Sequence, residues 1–479
     1  MASRPSLQES CSQAARGAGL NERGLTLRRL RESGQYKWFA LGAVMLGTVM
    51  GPLDGSIANV ALATIGRAFS ISVDSVEWVL LAYLLASAST VALFGRLGDM
   101  IGQKRIYLIG FGIFGASSIA CALAPSIVAL VAARAVQGIG SAMLMACTPA
   151  IITRAFPSTE RGRAIGMNGA AVAAGLTAGP LLGGLIVTYA DWRWIFLINV
   201  PISIVALGAA AIVLRPERGS PTGFDALGAA IGASGLLALT LALSRAHVWG
   251  WGSPATLGSL VFFALAVPVF LRVERSVAAP MLDLGLFAHR IFAFSVSAST
   301  LYFTALFSVV FTIPIVAQVV LGRSGLEAGL LLLPVAALNV VLAPLAGALS
   351  DRVPARYLST FGSSLFGLGT IVLVLLPAPP AAWMLASTLL VCGAGTAVFS
   401  QPNNSTVMGS VPPDRRGIAG GILATSRTTG QLLGVAIAGA IYFFVERHTG
   451  PHSYLPARTV FACVTAILAA TSAVSFLRD

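Results

Sequence analysis

From Trp38 onward the chain alternates apolar stretches of about 18–25 residues with short polar breaks, and that is the length a helix needs to cross the hydrocarbon core of a bilayer. The pattern predicts helices near 38–62, 76–94, 106–123, 127–150, 163–188, 194–214, 225–243, 255–271, 292–320, 326–349, 357–376, 382–402, 417–443 and 459–477. That makes about fourteen spans. An even number places both termini on one side. Residues 1–37 are polar, rich in Arg and without an apolar core segment, so they read as a disordered cytoplasmic tail rather than a cleavable signal.

Composition excludes whole classes. Only 10% of the 479 residues are charged and 56% are hydrophobic. A soluble domain carries about 25% charged residues, so this chain cannot cover a water-facing surface. The 51 Gly and 24 Pro suit membrane helices, which tolerate both. The net charge of +13 would suggest nucleic acid in a soluble protein. Here the basic residues follow the loops. One side holds the tail and residues such as Arg96, Lys104, Arg154, Arg215, Arg275, Arg352 and Arg415; the other holds only Arg67, Arg193, Arg245, Arg323, Arg447 and Arg458. The positive-inside rule then predicts cytoplasmic termini, and no nucleic-acid partner is expected. The five cysteines are scattered and form no CxxC, so they predict neither a metal site nor a disulfide framework.

Two sequence pairs recur at an offset near 250 residues. Gly95-Arg-Leu-Gly-Asp99 parallels Gly347-Ala-Leu-Ser-Asp351, and Glu160-Arg-Gly-Arg-Ala-Ile-Gly166 parallels Asp414-Arg-Arg-Gly-Ile-Ala-Gly420. The chain therefore divides into a tail (1–37), a six-helix bundle (38–215), two inserted helices with linkers (216–290) and a second six-helix bundle (291–479). Duplicated halves are a transporter signature, with the substrate path between them.

Four stretches resemble the major facilitator superfamily, and within it the fourteen-spanner drug:proton antiporters. Leu53-Asp54-Gly-Ser-Ile-Ala-Asn59-Val-Ala-Leu62 resembles the family's LDxTxxNxALP, with Ala63 in place of Pro. Gly95-Arg-Leu-Gly98-Asp99-Met-Ile-Gly102-Gln-Lys104-Arg105 resembles G-x-L-x-D-R-x-G-R-R but departs at Met100 and Gln103. Arg134-Ala-Val-Gln137-Gly138-Ile-Gly140 resembles R-x-x-Q-G-x-G. Gly175-Leu-Thr-Ala-Gly179-Pro180-Leu-Leu-Gly183-Gly184 resembles the antiporter motif G-x-x-x-G-P-x-x-G-G. The resemblance implies an all-α polytopic membrane protein of the major facilitator fold: two pseudo-symmetric six-helix bundles plus two inserted helices.

The residues can be weighed for chemistry. Asp54 is the one carboxylate well inside a predicted span, where an ionised Asp costs about 2.5–3.5 kcal/mol. A carboxyl kept from water favours its neutral form and releases its proton when wetted, which is what proton coupling requires. The plainer alternative is an Asp that only bonds neighbouring helices. Pro52 frees the carbonyl of Thr48 and can kink helix 1 beside the acid. If helices 1 and 4 are neighbours, as the resemblance implies, Arg134 can favour the ionised Asp54; otherwise it locks helix 4 through backbone carbonyls. Arg427 has no carboxylate partner in its half. It either bonds carbonyls across a helix interface, the favoured reading, or faces water and an anionic substrate.

Gly95, Gly98, Asp99, Gly102, Lys104 and Arg105, with Asp351 and Arg352 in the repeat, form a gating latch in the family reading and otherwise fix the turns. Asp99 and Asp351 are expected in loops before helices 3 and 11, held by the N–H groups of those helix starts. Gly175, Gly179 and Gly183 repeat every fourth residue, a spacing that permits close helix approach. Asn59, Tyr83, Gln137, Phe307, Phe311, Gln318, Asn339 and Arg427 are the candidate cavity residues. Asn403 and Asn404 read instead as bonding groups at the end of helix 12.

No P-loop or soluble nucleotide domain is present, so the energy source is expected to be a gradient. The four His are scattered and no acidic pair shares a helix face, which argues against a membrane enzyme. The expectation is a monomeric, multi-pass protein of the bacterial inner membrane that exports a small amphipathic molecule against protons, with no cofactor and no metal. A gradient-driven importer on the same fold is the alternative.

Overall fold

A computed structural model describes residues 35–157, 160–216, 225–277, 284–350, 352–412 and 416–478. Of the tail predicted as disordered over 1–37, residues 1–34 lie outside the described residues, as does the predicted role of Asp351; Tyr36 and Lys37 are not disordered but open the first helix, whose N–H groups bond back to Gln35.

The described residues form fourteen main helices: α1 (Tyr36–Phe69), α2 (Trp78–Ile101), α3 (Gln103–Ala122), α4 (Ile127–Ala155), α5 (Arg161–Tyr189), α6 (Asn199–Val213, which with the short helical turn before it spans Trp194–Val213), α7 (Ala226–Trp249), α8 (Pro254–Ser276), α9 (Arg290–Ile315), α10 (Gly325–Ser350), α11 (Ala355–Leu375), α12 (Ala382–Gly409), α13 (Arg416–Thr449) and α14 (Leu455–Phe476). Among the described residues thirteen are long and apolar enough to cross a membrane, and α10 carries a shorter apolar stretch over Gly325–Asn339.

Local chemistry sets several boundaries. Ser126 caps α4 by accepting from the Ala129 N–H, Asp225 caps α7 through Gly228, and Ser253 caps α8 through Thr256 just before Pro254. Gly102, at φ +103°, is the only residue between α2 and α3. A side chain would strain that turn. Consequently α2 runs through Asp99, which lies in its last turn and not in a loop ahead of α3. The predicted ninth span is helical throughout but changes character after Pro314, where α9 gives way to a π turn over Val316–Val320.

Packing repeats in the two halves. In the first, α1 packs on α5 and α6, α2 on α4, and α3 on α4 and α6. In the second, α9 packs on α13 and α14, α10 on α12, and α11 on α12 and α14. The halves meet along two seams, α5 against α10 and α2 against α13. The inserted helix α7 lies over the second seam, touching both α2 and α13, and α8 packs on α7.

Glycines make the closest contacts, and they too are duplicated. A Cβ at Gly175 would stand 2.6 Å from the Val49 carbonyl of α1, and one at Gly179 would meet the Ser56 side chain. In the second half, a Cβ at Gly430 would stand 2.6 Å from the Thr300 carbonyl, and one at Gly434 2.5 Å from the Thr304 carbonyl. Gly138 and Gly140 of α4 approach α2 and α3 in the same way that Gly393 and Gly395 of α12 approach α10 and α11. Each of these four pairs is separated by the same 255 residues.

Candidate substrate cavity and buried ion pair

A cavity of about 400 Å³ lies between the halves. Its wall extends to Thr153 in the last turn of α4, Gly409 at the end of α12 and Gly420 near the start of α13, so it runs toward the end of the bundle where α1 begins and α14 ends. The opposite end is closed by contacts across the halves. Asn59 donates to the Val310 carbonyl, Gln318 donates to the Val60 carbonyl at 2.9 Å, and the Leu326 N–H donates to Thr188 Oγ1 at 3.0 Å. On the other seam Gly439 of α13 sits directly against the carboxylate of Glu77, which is fully buried. The π turn after α9 carries Gln318 to its partner on α1.

The wall is mainly apolar and aromatic, with Tyr83, Phe303, Phe307 and Phe311 converging on it. Asn59, Tyr83, Phe307, Phe311 and Arg427 line the cavity, and Arg427 bonds a side chain there rather than the interface carbonyls favoured from sequence. Gln137 and Gln318 do not line the cavity: Gln137 is buried behind it and Gln318 belongs to the closed end. Asn339 is half-buried in α10 and off the wall. Asn404, read from sequence as a helix-end group, lies on the wall and accepts a hydrogen bond from Arg427 Nη2 at 2.7 Å.

Behind Tyr83 lies a second, sealed site. Asp54 and Arg134 are both 0% exposed and form an ion pair through Asp54 Oδ2 and Arg134 Nη1. The other carboxylate oxygen accepts from Asn199 Nδ2 at 2.7 Å and from Gln137 Nε2 at 3.1 Å. Arg134 also donates to the Val79 carbonyl at 3.0 Å and to Gln137 Oε1 at 2.6 Å. Gln137 reaches Ser118 Oγ at 2.9 Å. Charged hydrogen bonds of this kind make a buried carboxylate tolerable. Neither Asp54 nor Arg134 touches the cavity. The Tyr83 ring stands between, 4.2 Å from the guanidinium carbon, with its hydroxyl donating to Ser141 Oγ at 2.8 Å and to the Gly51 carbonyl at 3.2 Å. Position explains the cluster: α1, α4 and α6 converge here, and each supplies a group.

Asn199 escaped the sequence reading. It lies inside the predicted sixth span, behind the apolar run Trp194–Ile198, as a lone uncharged polar residue that no motif marked. The 255-residue offset also reveals an asymmetry: Asp54, Arg134 and Gln137 correspond to Val309, Leu389 and Cys392, all buried and apolar.

The latch residues occupy the terminal end of the first half. Asp99 accepts from Gln103 Nε2 at 2.9 Å and lies 3.6 Å from Arg154 of α4. Both partners are side chains of its own half, where backbone N–H groups of α3 were expected. Lys104 Nζ donates to the Ala211 and Leu214 carbonyls at 2.7 and 2.6 Å, capping the end of α6. Arg352 follows α10 in a turn closed by its N–H to the Leu349 carbonyl. Gly175, Gly179 and Gly183 face α1, whereas Gly184 faces Gly325 and Leu326 across the seam to α10. The Pro180 carbonyl meets Gly329 at the same seam.

The family model of the Major Facilitator Superfamily matches residues 44–435. The chain belongs to that superfamily. It is a multi-pass membrane transporter, as the motifs in α1, α2, α4 and α5 imply. Among its relatives are the uncharacterized transporter YebQ of Escherichia coli K12, 38% identical over 90% of this chain and 94% of that protein. The riboflavin transporter RibZ of Clostridioides difficile is 33% identical over 85% of this chain and 89% of its own. The puromycin resistance protein pur8 of Streptomyces alboniger is 31% identical over 88% and 86%. Major facilitator relatives are thus named as transporters or resistance proteins, not as enzymes.

Proposed function

We propose that this major facilitator protein is a proton-coupled exporter of an amphipathic organic compound, with Asp54 as the proton-coupling acid. The observation that carries the reading is the sealed Asp54–Arg134 cluster set one aromatic ring away from a mainly apolar cavity. The protein acts as a monomer in the bacterial inner membrane with both termini in the cytoplasm, as its loop charges favour. The cavity then opens toward the cytoplasm, and the contacts of Asn59, Gln318, Thr188 and Glu77 close the outer end. Substrate enters from the cytoplasm or inner leaflet and packs on the phenylalanines. Rocking of the halves about the α5–α10 and α2–α13 seams breaks the outer contacts and exposes the cavity outside. Entry of a proton to Asp54 on that side neutralises the acid and loosens its hold on Arg134. Return to the inward form, with Arg134 restored beside it, favours release of that proton inward. Asp99 with Arg154, and the turn at Gly102, hold the cytoplasmic end in register.

The resistance-protein relative supports export. The riboflavin transporter among the relatives keeps gradient-driven import of a small organic solute as the second reading. The test uses inverted membrane vesicles carrying equal amounts of inserted protein, with substrates drawn from a susceptibility screen in an efflux-deficient host. Asp54→Asn is expected to abolish uptake driven by an imposed proton gradient. Accumulation by the variant against a gradient would overturn the role of Asp54, and a screen without any shift in susceptibility would count against export.

A further inference from the structure

We propose that the cavity selects amphipathic anions, an aromatic or apolar body bearing a carboxylate or similar acidic group, and that Arg427 is its anion-binding residue. This rests on the transport reading and adds the substrate class. Among the described residues, Arg427 is the only charged side chain on the cavity wall. It has no carboxylate within ion-pair distance there. The Arg323–Glu327 ion pair lies at the opposite end of the bundle. Arg427 uses Nη2 on the Asn404 side chain at 2.7 Å, while its buried Nε has no hydrogen-bond partner. Its guanidinium carbon lies 5.5 Å from the centre of the Phe303 ring. Arg427 is half-buried, and its Nη1 is neither bonded nor walled off, so that donor is left for an acceptor on a solute. A guanidinium presents several donors in one plane and accommodates a carboxylate in two-point contact, while Asn404 holds it in place.

The other charges nearby do not reverse this preference. The Asp54 carboxylate could attract a cation, but it is spent on Arg134, Gln137 and Asn199 and is screened from the cavity by the Tyr83 ring. With Asp54 ionised, that cluster carries no net charge, so the cavity field is set by Arg427. Phe303, Phe307 and Phe311 supply the apolar surface that an anion with an aromatic body needs. A cationic compound would meet a like charge with no compensating acid on the wall.

The test is binding in the absence of any gradient, so that it is decided separately from proton coupling. The full-length protein in phosphatidylcholine nanodiscs, corrected with empty discs, is titrated with three probes of nearly equal shape: 2-naphthoate, 2-naphthamide and 2-naphthylmethylammonium. The carboxylate is expected to bind about 10- to 100-fold more tightly than either of the others, the range expected for hydrogen bonds to a charged group. Arg427→Gln should erase the preference and Arg427→Lys should keep most of it. Equal binding of ammonium and carboxylate, or an undiminished preference in Arg427→Gln, would overturn the proposal. Should Arg427→Gln not fold, the ranking in the unaltered protein and in Arg427→Lys decides. Absence of the preference in the unaltered protein, with proton-driven transport intact, would sink this inference alone; export by Asp54→Asn would sink the coupling role alone.

Discussion

The Asp54–Arg134 pair can be tested as a pair. Asp54→Asn keeps the shape of the side chain and resembles the protonated acid, but it leaves Arg134 as a buried cation without an anion. Breaking one partner of a buried pair costs about 3–5 kcal/mol. The lower part of that range applies here, because Arg134 keeps the Val79 carbonyl, Gln137 Oε1 and the face of Tyr83. An aromatic face contributes about 0.5–2 kcal/mol to a guanidinium. The amide of Asn also points one donor at a site that now receives two, from Gln137 and Asn199. Arg134→Gln strands the carboxylate instead, with only those two amide donors, and should cost as much or more. The double variant contains only neutral amides and should recover most of the loss. Unfolding of the four proteins in nanodiscs, followed by tryptophan fluorescence, gives the coupling energy, expected at about 2–4 kcal/mol from that range. Additive effects within about 0.5 kcal/mol would refute the pairing.

Two further outcomes follow from the geometry. Gly179→Ala places a methyl group against Ser56 and 3.0 Å from the Ile57 nitrogen; it should cost about 1–3 kcal/mol, whereas Gly42→Ala, with nothing within 4 Å, should leave thermal stability nearly unchanged. Tyr83→Phe removes a hydroxyl with two acceptors but keeps the ring over Arg134, so it should cost about 0.5–1.5 kcal/mol and retain coupled transport; Tyr83→Leu opens the partition and should let protons leak without substrate, measured as pH change in sealed vesicles.

The helices were legible because a bilayer leaves backbone groups few alternatives: each span must satisfy its own hydrogen bonds over a fixed thickness, and hydropathy records that. The duplication was legible from two loop motifs, although its stronger trace is the glycine pairs, of which Gly430 and Gly434 lie in a Thr-rich stretch that does not look like an interface. Pairing across helices was harder. Asp54 and Arg134 are 80 residues apart, and only the family resemblance suggested that their helices meet. Nothing in the spacing marked Asn199, since a lone Asn within a span bonds a neighbouring backbone or joins a buried network equally well. Gln137, Gln318 and Asn339 show the converse: a polar residue at mid-span must find a partner, but the sequence does not say whether that partner is a substrate, a neighbouring helix or the opposite half.

The unequal halves have an electrical consequence. The first half buries a carboxylate with a guanidinium and is nearly neutral at that depth; the second, among the described residues of the cavity wall, carries the single charge of Arg427. A membrane potential therefore pulls mainly on one half. Moving one charge through the whole field is worth about 2.3 kcal/mol per 100 mV, so a shift of Arg427 by a tenth of the membrane is worth only about 0.2 kcal/mol. That is too little to set the balance between conformations. The empty protein should rock almost indifferently to voltage, and any voltage dependence of the full cycle must come from the charges it loads.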